Sequence, residues 1–317
     1  MLRMYVLPFI VFVVSLPVSA QKNPRQQLSR AFQLDWQGEF TQVIEIAKPL
    51  TTTETLTTLE RGRSWMVLAH AYQQEGRLQD ATTAYEQSLH LLENDKADYA
   101  GALNAFATLY RDMRQFQTAV RMQEKALHLY ERDDNHGAAA VTCESLADLK
   151  LSQKHVTEGR RYLARALNEA TRTTDLDNDY FASLSSTQAW LAEFDGNATA
   201  AISGYQRSLA LLRQLHGEQY HLVGWSLMRL GKAYAEAGDL HNASDNMRKG
   251  LSILGQTAGR YSATYLAAEL AYAQVLDASG EHSQALTLRH QAESLLNSLY
   301  GNQCAGCRIS VAALSLR

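Results

Sequence analysis

Histidine and cysteine, the residue types that most often carry chemistry, form two short clusters in this chain. The first contains His216, Glu218 and His221, and the second contains Cys304 and Cys307. Two histidines that hold one zinc ion from a single helix stand four residues apart, which places them on one face. His216 and His221 are five residues apart. This spacing predicts a polar loop and not a metal site.

The Cys304–Cys307 pair fits none of the usual C-x-x-C chemistries. Haem attachment requires histidine directly after the second cysteine, and Arg308 stands there. A zinc site needs two more ligands, and thioredoxin-type redox chemistry needs a βαβ setting. Two states fit the sequence. One is a local disulfide that stiffens the C-terminal end in an oxidising compartment, and the other is two free thiols, since short-loop bridges can be strained.

Motifs that mark common catalytic sites are absent from the sequence. It contains no G-x-S-x-G elbow, no Walker A loop, no H-E-x-x-H helix and no G-x-G-x-x-G turn. The remaining histidines are scattered along the chain. We therefore predict no catalytic residue, no metal and no cofactor, and we expect a protein that is not an enzyme.

Composition favours a helical protein that does not bind nucleic acid. The chain has 317 residues, of which 46% are hydrophobic and 20% are charged, and it has only 4 prolines. This low proline content, together with many Ala, Leu, Gln and Glu residues, is typical of helices. The formal net charge is -3. Binding to nucleic acid or to an anionic membrane requires a basic surface, so the charge favours neither partner.

The first twenty residues have the three regions of an export signal. Arg3 supplies a positive charge, residues 4–16 are apolar, and residues 17–20 read Pro-Val-Ser-Ala. This pattern predicts cleavage after Ala20 and a periplasmic or secreted protein. The alternative is a membrane anchor. Thirteen helical residues rise only about 20 Å, which is less than the ~30 Å hydrocarbon core of a bilayer.

An internal repeat occupies most of the remaining sequence. A small residue stands at the equivalent position of each copy, at intervals of 38, 38, 40, 42, 42 and 42 residues. These residues are Val43, Ala81, Ala119, Gly159, Ala201, Ala243 and Ala285. Each copy predicts two amphipathic helices, with small residues where the helices approach and glycine in several turns (Gly76, Gly196, Gly238, Gly280). One such pair cannot bury its apolar face alone, so the copies must stack.

The copy from Trp65 to Ser88 resembles the tetratricopeptide repeat. It contains Trp65, Leu68, Ala69, Tyr72, Gly76, Ala81, Tyr85 and Ser88 at the spacings of that family. The period of about 42 residues is similar to the longer repeats of kinesin light chains. The proline that usually closes each unit is absent, and of the paired asparagines of that subtype only Asn104 is suggestive.

The resemblance implies an all-α, right-handed α-solenoid of about seven helix-turn-helix repeats. Residues 21–300 would form this solenoid, after the signal peptide at 1–20 and before a tail at 301–317. In this family the inner groove is lined mainly by the first helix of each unit. Carried onto this chain, those positions are His70, Gln73, Asn104, Thr108, Arg111, Glu144, Asp148, Trp190, Glu193, Arg229, Lys232, Gln274 and Asp277.

Two interpretations of these groove positions stay open. Trp190 is either an aromatic anchor for a partner or a residue packed against its neighbour, and the charges either bind a partner or are only solvated. Two functions follow. The first is an extracytoplasmic scaffold that binds a protein or peptide in its groove. The alternative is a structural or assembly component of an envelope complex that acts through its ends and convex face.

Overall fold

A computed structural model describes residues 23–260 and 262–300. The signal peptide at 1–20 and the tail with Cys304 and Cys307 lie outside the described residues. Both therefore stay predictions. None of the helices in the described part is long and apolar enough to cross a bilayer.

The described residues form fourteen α-helices and no strand, and consecutive helices pair into seven helix–turn–helix units. This confirms the predicted solenoid of about seven repeats. The helices are α1 Pro24–Gln37, α2 Phe40–Leu50, α3 Thr58–Gln74, α4 Leu78–Leu92, α5 Lys96–Asp112, α6 Phe116–Arg132, α7 His136–Ser152, α8 Val156–Ala170, α9 Asn178–Phe194, α10 Ala198–His216, α11 His221–Glu236, α12 Leu240–Leu254, α13 Ala263–Ala278 and α14 His282–Tyr300. A π-helical turn, Gly255–Gly259, follows α12.

The turn inside each unit has the same backbone geometry in all seven copies. One residue has a positive φ, between 60° and 84°, and these residues are Gly38, Gly76, Arg114, Lys154, Gly196, Gly238 and Gly280. The next amide donates to the carbonyl five residues earlier at 2.8 to 2.9 Å in every copy. This is the Schellman bond that ends a helix. The glycine turns are confirmed, and Arg114 and Lys154 adopt the same conformation without glycine.

Small residues let the two helices of a unit approach closely, as the repeat pattern predicts. A Cβ atom added at Gly231 in α11 would lie 2.9 Å from the carbonyl oxygen of Ala243 in α12 and 2.6 Å from the Cγ of Met247. Both distances are shorter than ordinary van der Waals contacts of a Cβ atom, so glycine is required at position 231. Tyr85 and Leu68 are buried beside the equivalent contact of the second unit and fill the adjacent core.

The first helices of successive units define what we call the inner face. α1 contacts α3, α3 contacts α5, and α7 contacts α9 directly, while the second helices of neighbouring units lie farther apart. Elements on the inside of a curved stack are closer together than those on the outside. The inner face is therefore formed by α3, α5, α7, α9 and α11, and the second helices lie on the outer side.

Curvature also brings the first unit to a distant part of the chain. The ring of Trp36 lies 5.5 Å from that of His216, and the ring of Phe40 lies 5.9 Å from that of His221. A Cβ added at Gly38 would lie 3.2 Å from the Nδ1 of His221. The turn of the first unit thus packs on the α10–α11 connection. We call this contact the closure.

Candidate functional site

Side chains on the inner face are bonded from one unit to the next. The Gln73 amide of α3 donates to Thr108 at 3.1 Å and to Asp112 at 2.7 Å, both on α5. Asn104 of α5 donates to the Thr142 hydroxyl of α7 at 2.7 Å. Residues three, four and seven apart on a helix share a face, which is why each helix offers several partners to its neighbour. These bonds cross between units and so fix their relative positions.

Arg111 and Asp148 continue this row of contacts. The Arg111 guanidinium lies 3.2 Å from the Asp148 carboxylate of α7 and 3.4 Å from Asp112 of its own helix. All three side chains are half-buried. Asp148 also faces Arg229 of α11 at 3.8 Å. The Asp148 carboxylate of the fourth unit is therefore shared by two guanidinium groups, one from the third unit and one from the sixth.

Glu144 is a buried carboxyl group next to Asp148. The hydroxyls of Ser183 and Thr187, both on α9, donate to its Oε1, at 3.0 Å for Ser183. Burial, with a contribution from the negative Asp148, raises the pKa of Glu144 to about 7, although the two hydroxyls and Arg229 favour the charged form. The inner face thus holds a carboxyl group that is partly protonated near neutral pH.

Arg229 is a buried cation of the inner face whose polar contacts with Ser186 and Asp148 are long. It is only 8% exposed, yet its nearest polar contacts are long, 3.5 Å to the Ser186 hydroxyl and 3.8 Å to Asp148. Its Nε has no hydrogen-bond partner. The guanidinium lies over the Trp190 ring, 4.5 Å from the centroid, which supplies a cation–π contact.

Trp190 is covered by its neighbours. It is 6% exposed and packs against Phe194 at 6.2 Å between ring centroids. With Arg229 above it, this ring is not presented to solvent as an aromatic anchor. The structure therefore agrees with packing against its neighbours, the second of the two interpretations of Trp190.

Lys232 joins the last two helices of the row. It is 3% exposed and pairs with Glu193 of α9 and, at 3.1 Å, with Glu236 of α11. The Tyr205 hydroxyl donates to Glu193 at 2.8 Å. Burial, together with Glu193, raises the pKa of Tyr205 well above its usual value, so it stays a donor. A buried lysine needs such partners, because an isolated buried charge is costly.

The remaining predicted positions lie at the two ends of the row. His70 of α3 pairs with Asp35 of α1 at 2.7 Å and contacts Gln74 at 3.0 Å. Gln274 lies half-buried on α13. Asp277 is exposed and pairs within its own unit with His282 at 2.7 Å, so it does not extend the row.

The His216 cluster is divided among separate partners. His216 pairs with Asp179 at 2.6 Å, and Glu218 pairs with Arg213 at 2.6 Å. His221 has a buried Nδ1 without a partner. Across residues 23–260 and 262–300 no group of three or more His, Cys, Asp or Glu side chains is placed to hold a metal ion. Cys143 is a buried free thiol on α7.

Several residues of this network were not among the predicted positions. They are Asp35, Asp112, Thr142, Ser183, Ser186, Thr187, Tyr205 and Glu236. Helical spacing could have identified some of them. Ser183 and Thr187 precede Trp190 by seven and three residues, and Glu236 follows Lys232 by four, so each shares its neighbour's face.

Comparison with known families identifies the repeat. A family model described as the MalT-like TPR region matches residues 105–306, and a tetratricopeptide repeat model matches residues 62–91. Comparison with curated proteins gives no match.

Solved structures share the fold at low sequence identity. A Rap protein complexed with Competence and Sporulation Factor is 14% identical, with 92% of this chain and 97% of that chain covered and a TM-score of 0.56. NprR in complex with its cognate peptide NprX is 13% identical, with 93% and 82% covered and a TM-score of 0.63. A chain of the APC/C hetero-tetramer Cut9–Hcn1 is 16% identical, with 86% and 47% covered and a TM-score of 0.63.

The family match covers more than half of the chain. It agrees with the seven helix pairs, whose turns share one residue with positive φ and the same backbone hydrogen bond. This chain belongs to the tetratricopeptide-repeat family, with a MalT-like TPR region at residues 105–306.

Proposed function

We propose that this protein is a non-catalytic scaffold that binds a peptide or a protein segment along its inner face. The observation that carries the proposal is the incompletely satisfied polar row on α5 to α11. The Arg229 Nε and the Asn104 Oδ1 are buried without hydrogen-bond partners. Buried polar groups without partners cost free energy, and a bound peptide backbone or side chain can supply both a donor and an acceptor.

The structural neighbours support the same class of partner. Two of them, the Rap protein and NprR, are described as complexes with a factor or a cognate peptide. Half-buried charged side chains at the centre of the inner face can form ion pairs or hydrogen bonds with a ligand. Arg111 and Asp112 have side chains that are 33% and 30% exposed, so both are within reach of a ligand without unfolding.

A charge-neutral double variant tests binding at the inner face. Peptides would first be selected from a random peptide library against the wild-type chain, then synthesised and measured by calorimetry. Arg111→Gln with Asp112→Asn removes one charge of each sign, so bulk electrostatic attraction is unchanged. We expect the selected peptides to bind this variant about tenfold more weakly, a loss of about 1.4 kcal/mol.

The matched control lies on the outer side. Arg248 and Asp245 of α12 pair at 2.7 Å with side chains 69% and 32% exposed, and Arg248→Gln with Asp245→Asn again leaves the net charge unchanged. Peptide affinity should equal that of the wild type. If both double variants lose affinity equally, or if the wild type selects no peptide, binding in the groove is contradicted. The alternative, a component of an envelope complex that acts through its ends and outer face, would then be favoured.

We further propose that the scaffold works outside the cytoplasm, in the periplasm or the medium. The proposal is supported by the positive, apolar and small-residue regions of residues 1–20. Fractionation of cells that express the full chain tests it. The exported fraction should contain a chain that begins at Gln21, detected by mass spectrometry of the intact protein. A full-length chain that remains with the cytoplasm would contradict export.

A further inference from the structure

The closure joins the first unit to the fifth and sixth units, which lie far from it in sequence. Helices otherwise pack mainly on their sequence neighbours, and the ion pair of Asp148 with Arg229 reaches from the fourth unit to the sixth. In the closure, the α1–α2 turn meets the α10–α11 connection through Trp36 on His216 and Phe40 on His221. A solenoid does not need this contact to bury its cores, because each unit is already covered by the next one.

The contact is also weakly built. Trp36 remains 51% exposed while it touches His216. The His221 Nδ1 is buried without a hydrogen-bond partner, close to the backbone of Gly38. An unpartnered buried nitrogen favours any state in which water can reach it. The closed arrangement therefore carries a cost that separation of the two parts would remove.

From this geometry we propose that the first helix pair is a gate, which closes against the α10–α11 connection and swings away from it to open the inner face. The moving part would be α1 and α2, which would shift against α3 while keeping the core they share with it, and the pivot would be the connection between α2 and α3. The role in ligand entry rests on the proposed function, whereas the opening itself does not.

The groups around His221 make this gate sensitive to acid. Asp35 of α1 favours a charged His221 ring, whereas His70 of α3 and His216 of α10 disfavour it. His70 and His216 are themselves paired with Asp35 and Asp179, and the Tyr220 ring packs beside them, 4.0 Å from His216. Burial and the two neighbouring histidines lower the pKa of His221 to about 4 from an ordinary value of 6.5.

The sign of the pH effect follows from these values. When the gate opens, water reaches His221 and its pKa rises toward the ordinary value of 6.5, so below pH 6.5 the open state binds a proton that the closed state binds only near pH 4. The closed state is therefore most favoured above pH 6.5 and becomes less favoured as the pH falls. With these two pKa values as limits, the open-to-closed ratio rises by up to about 30-fold between pH 7.5 and pH 5.

A distance measurement between spin labels tests the gate without any ligand. The full chain would carry Cys304→Ser and Cys307→Ser, with labels at Gln33→Cys on α1 and Gln214→Cys on α10, both exposed. Cys143 stays unlabelled because it is buried, and burial raises the pKa of its thiol to about 12. We expect one short distance at pH 7.5 and a second, longer distance at pH 5, with the far-ultraviolet circular dichroism still helical.

Two variants separate the gate from acid unfolding. Trp36→Ala removes half of the closure at an exposed position, so the longer distance should already be populated at pH 7.5. His221→Phe keeps an aromatic ring against Phe40 but cannot bind a proton, so its distances should not change with pH. A single distance that is insensitive to pH and to Trp36→Ala would overturn the proposal. Peptide affinity plays no part in this result, so a failed gate and a failed scaffold are distinguishable.

Discussion

Glu144 shows how a single side chain of the inner face responds to its surroundings. Its carboxyl group accepts hydrogen bonds from two hydroxyls of α9, which favour the charged form. Burial and Asp148 act in the opposite direction and prevail, so that the pKa rises to about 7. The folded protein consequently keeps a proton on Glu144 at pH values where the unfolded chain releases it.

The first prediction concerns the pH dependence of stability through Glu144. A folded pKa above the unfolded value gives a contribution that is fully present below pH 4.5 and is lost as the pH rises through about 7. Glu144→Gln removes this loss, because a neutral amide of the same shape cannot ionise. We expect the variant to be more stable than the wild type by roughly 1–3 kcal/mol at pH 8, and nearly equal to it at pH 4.5. Urea unfolding at the two pH values measures both.

Glu158 provides a control of opposite sign. It lies at the surface of α8 with its side chain 43% exposed, and a hydrogen bond from Lys150 lowers its pKa below the ordinary value. Glu158→Gln should therefore slightly lower stability at pH 8, where the wild-type group is charged. If Glu144→Gln behaved in the same way as Glu158→Gln, Glu144 would not be the buried acid described above.

Sequence patterns located the residues of the inner face better than they located their partners. The family resemblance placed Gln73, Arg111, Asp148 and Lys232 on first helices, and these side chains do meet across units. The pattern did not indicate that they would pair with one another across units, or that Gln73 and Lys232 would be so deeply buried. Pairing between units depends on the rotation of one unit relative to the next, and that rotation is not a property of any one helix.

Among the elements, the seven turns are the most regular part of the molecule. Five of them have glycine at the residue with positive φ, whereas the third and fourth have Arg114 and Lys154. A side chain with a Cβ is strained in this conformation by about 1–2 kcal/mol. The turn forms nonetheless, because the Schellman bond and the packing of the two helices stabilise this conformation by more than the strain costs.

The second prediction follows from these two turns. Lys154 and Arg114 are exposed, so their replacement by glycine removes strain and, at Arg114 alone, a long contact with the Phe116 ring at 6.0 Å. Glycine also increases the entropy of the unfolded chain, which offsets part of the gain. We expect Arg114→Gly and Lys154→Gly each to raise the free energy of unfolding by about 0.5–1 kcal/mol. Denaturant titration of the single and double variants measures the gain.

The reverse substitution at an equivalent turn is the matched test. Gly196 has a φ of 71°, and a Cβ placed there would meet nothing within 4 Å. Gly196→Lys should therefore cost a similar amount through backbone strain alone. A lysine tolerated at Gly196 without loss would mean that the turn geometry does not limit stability.

Seen as a whole, the molecule is a stack of units that also touches itself. In a simple stack, stability is the sum of units and nearest-neighbour interfaces, and terminal units open first. The closure ties the first unit to the fifth and sixth, whereas among the described residues the last unit, α13 with α14, packs on the sixth unit. The periodic sequence predicted the stack, but it did not predict the closure, which requires small rotations to accumulate over several units.

The third prediction is that loosening the closure affects two distant segments together. Trp36→Ala should speed amide hydrogen exchange about three- to tenfold both in residues 24–50 and around residues 216–224, and leave α13 and α14 unchanged. Hydrogen exchange followed by mass spectrometry resolves these segments. Faster exchange in residues 24–50 alone would mean that the contact contributes nothing to the α10–α11 connection.

The closure also restricts how the number of repeats can vary during evolution. Tandem arrays usually gain or lose copies freely, since a duplicated copy simply lengthens the stack. Here Phe40 must reach His221. A copy gained or lost between them would displace one partner by a full step and separate them, whereas a copy added after Leu254 would leave them in place. Variation in copy number should accordingly accumulate at the C-terminal end of the array.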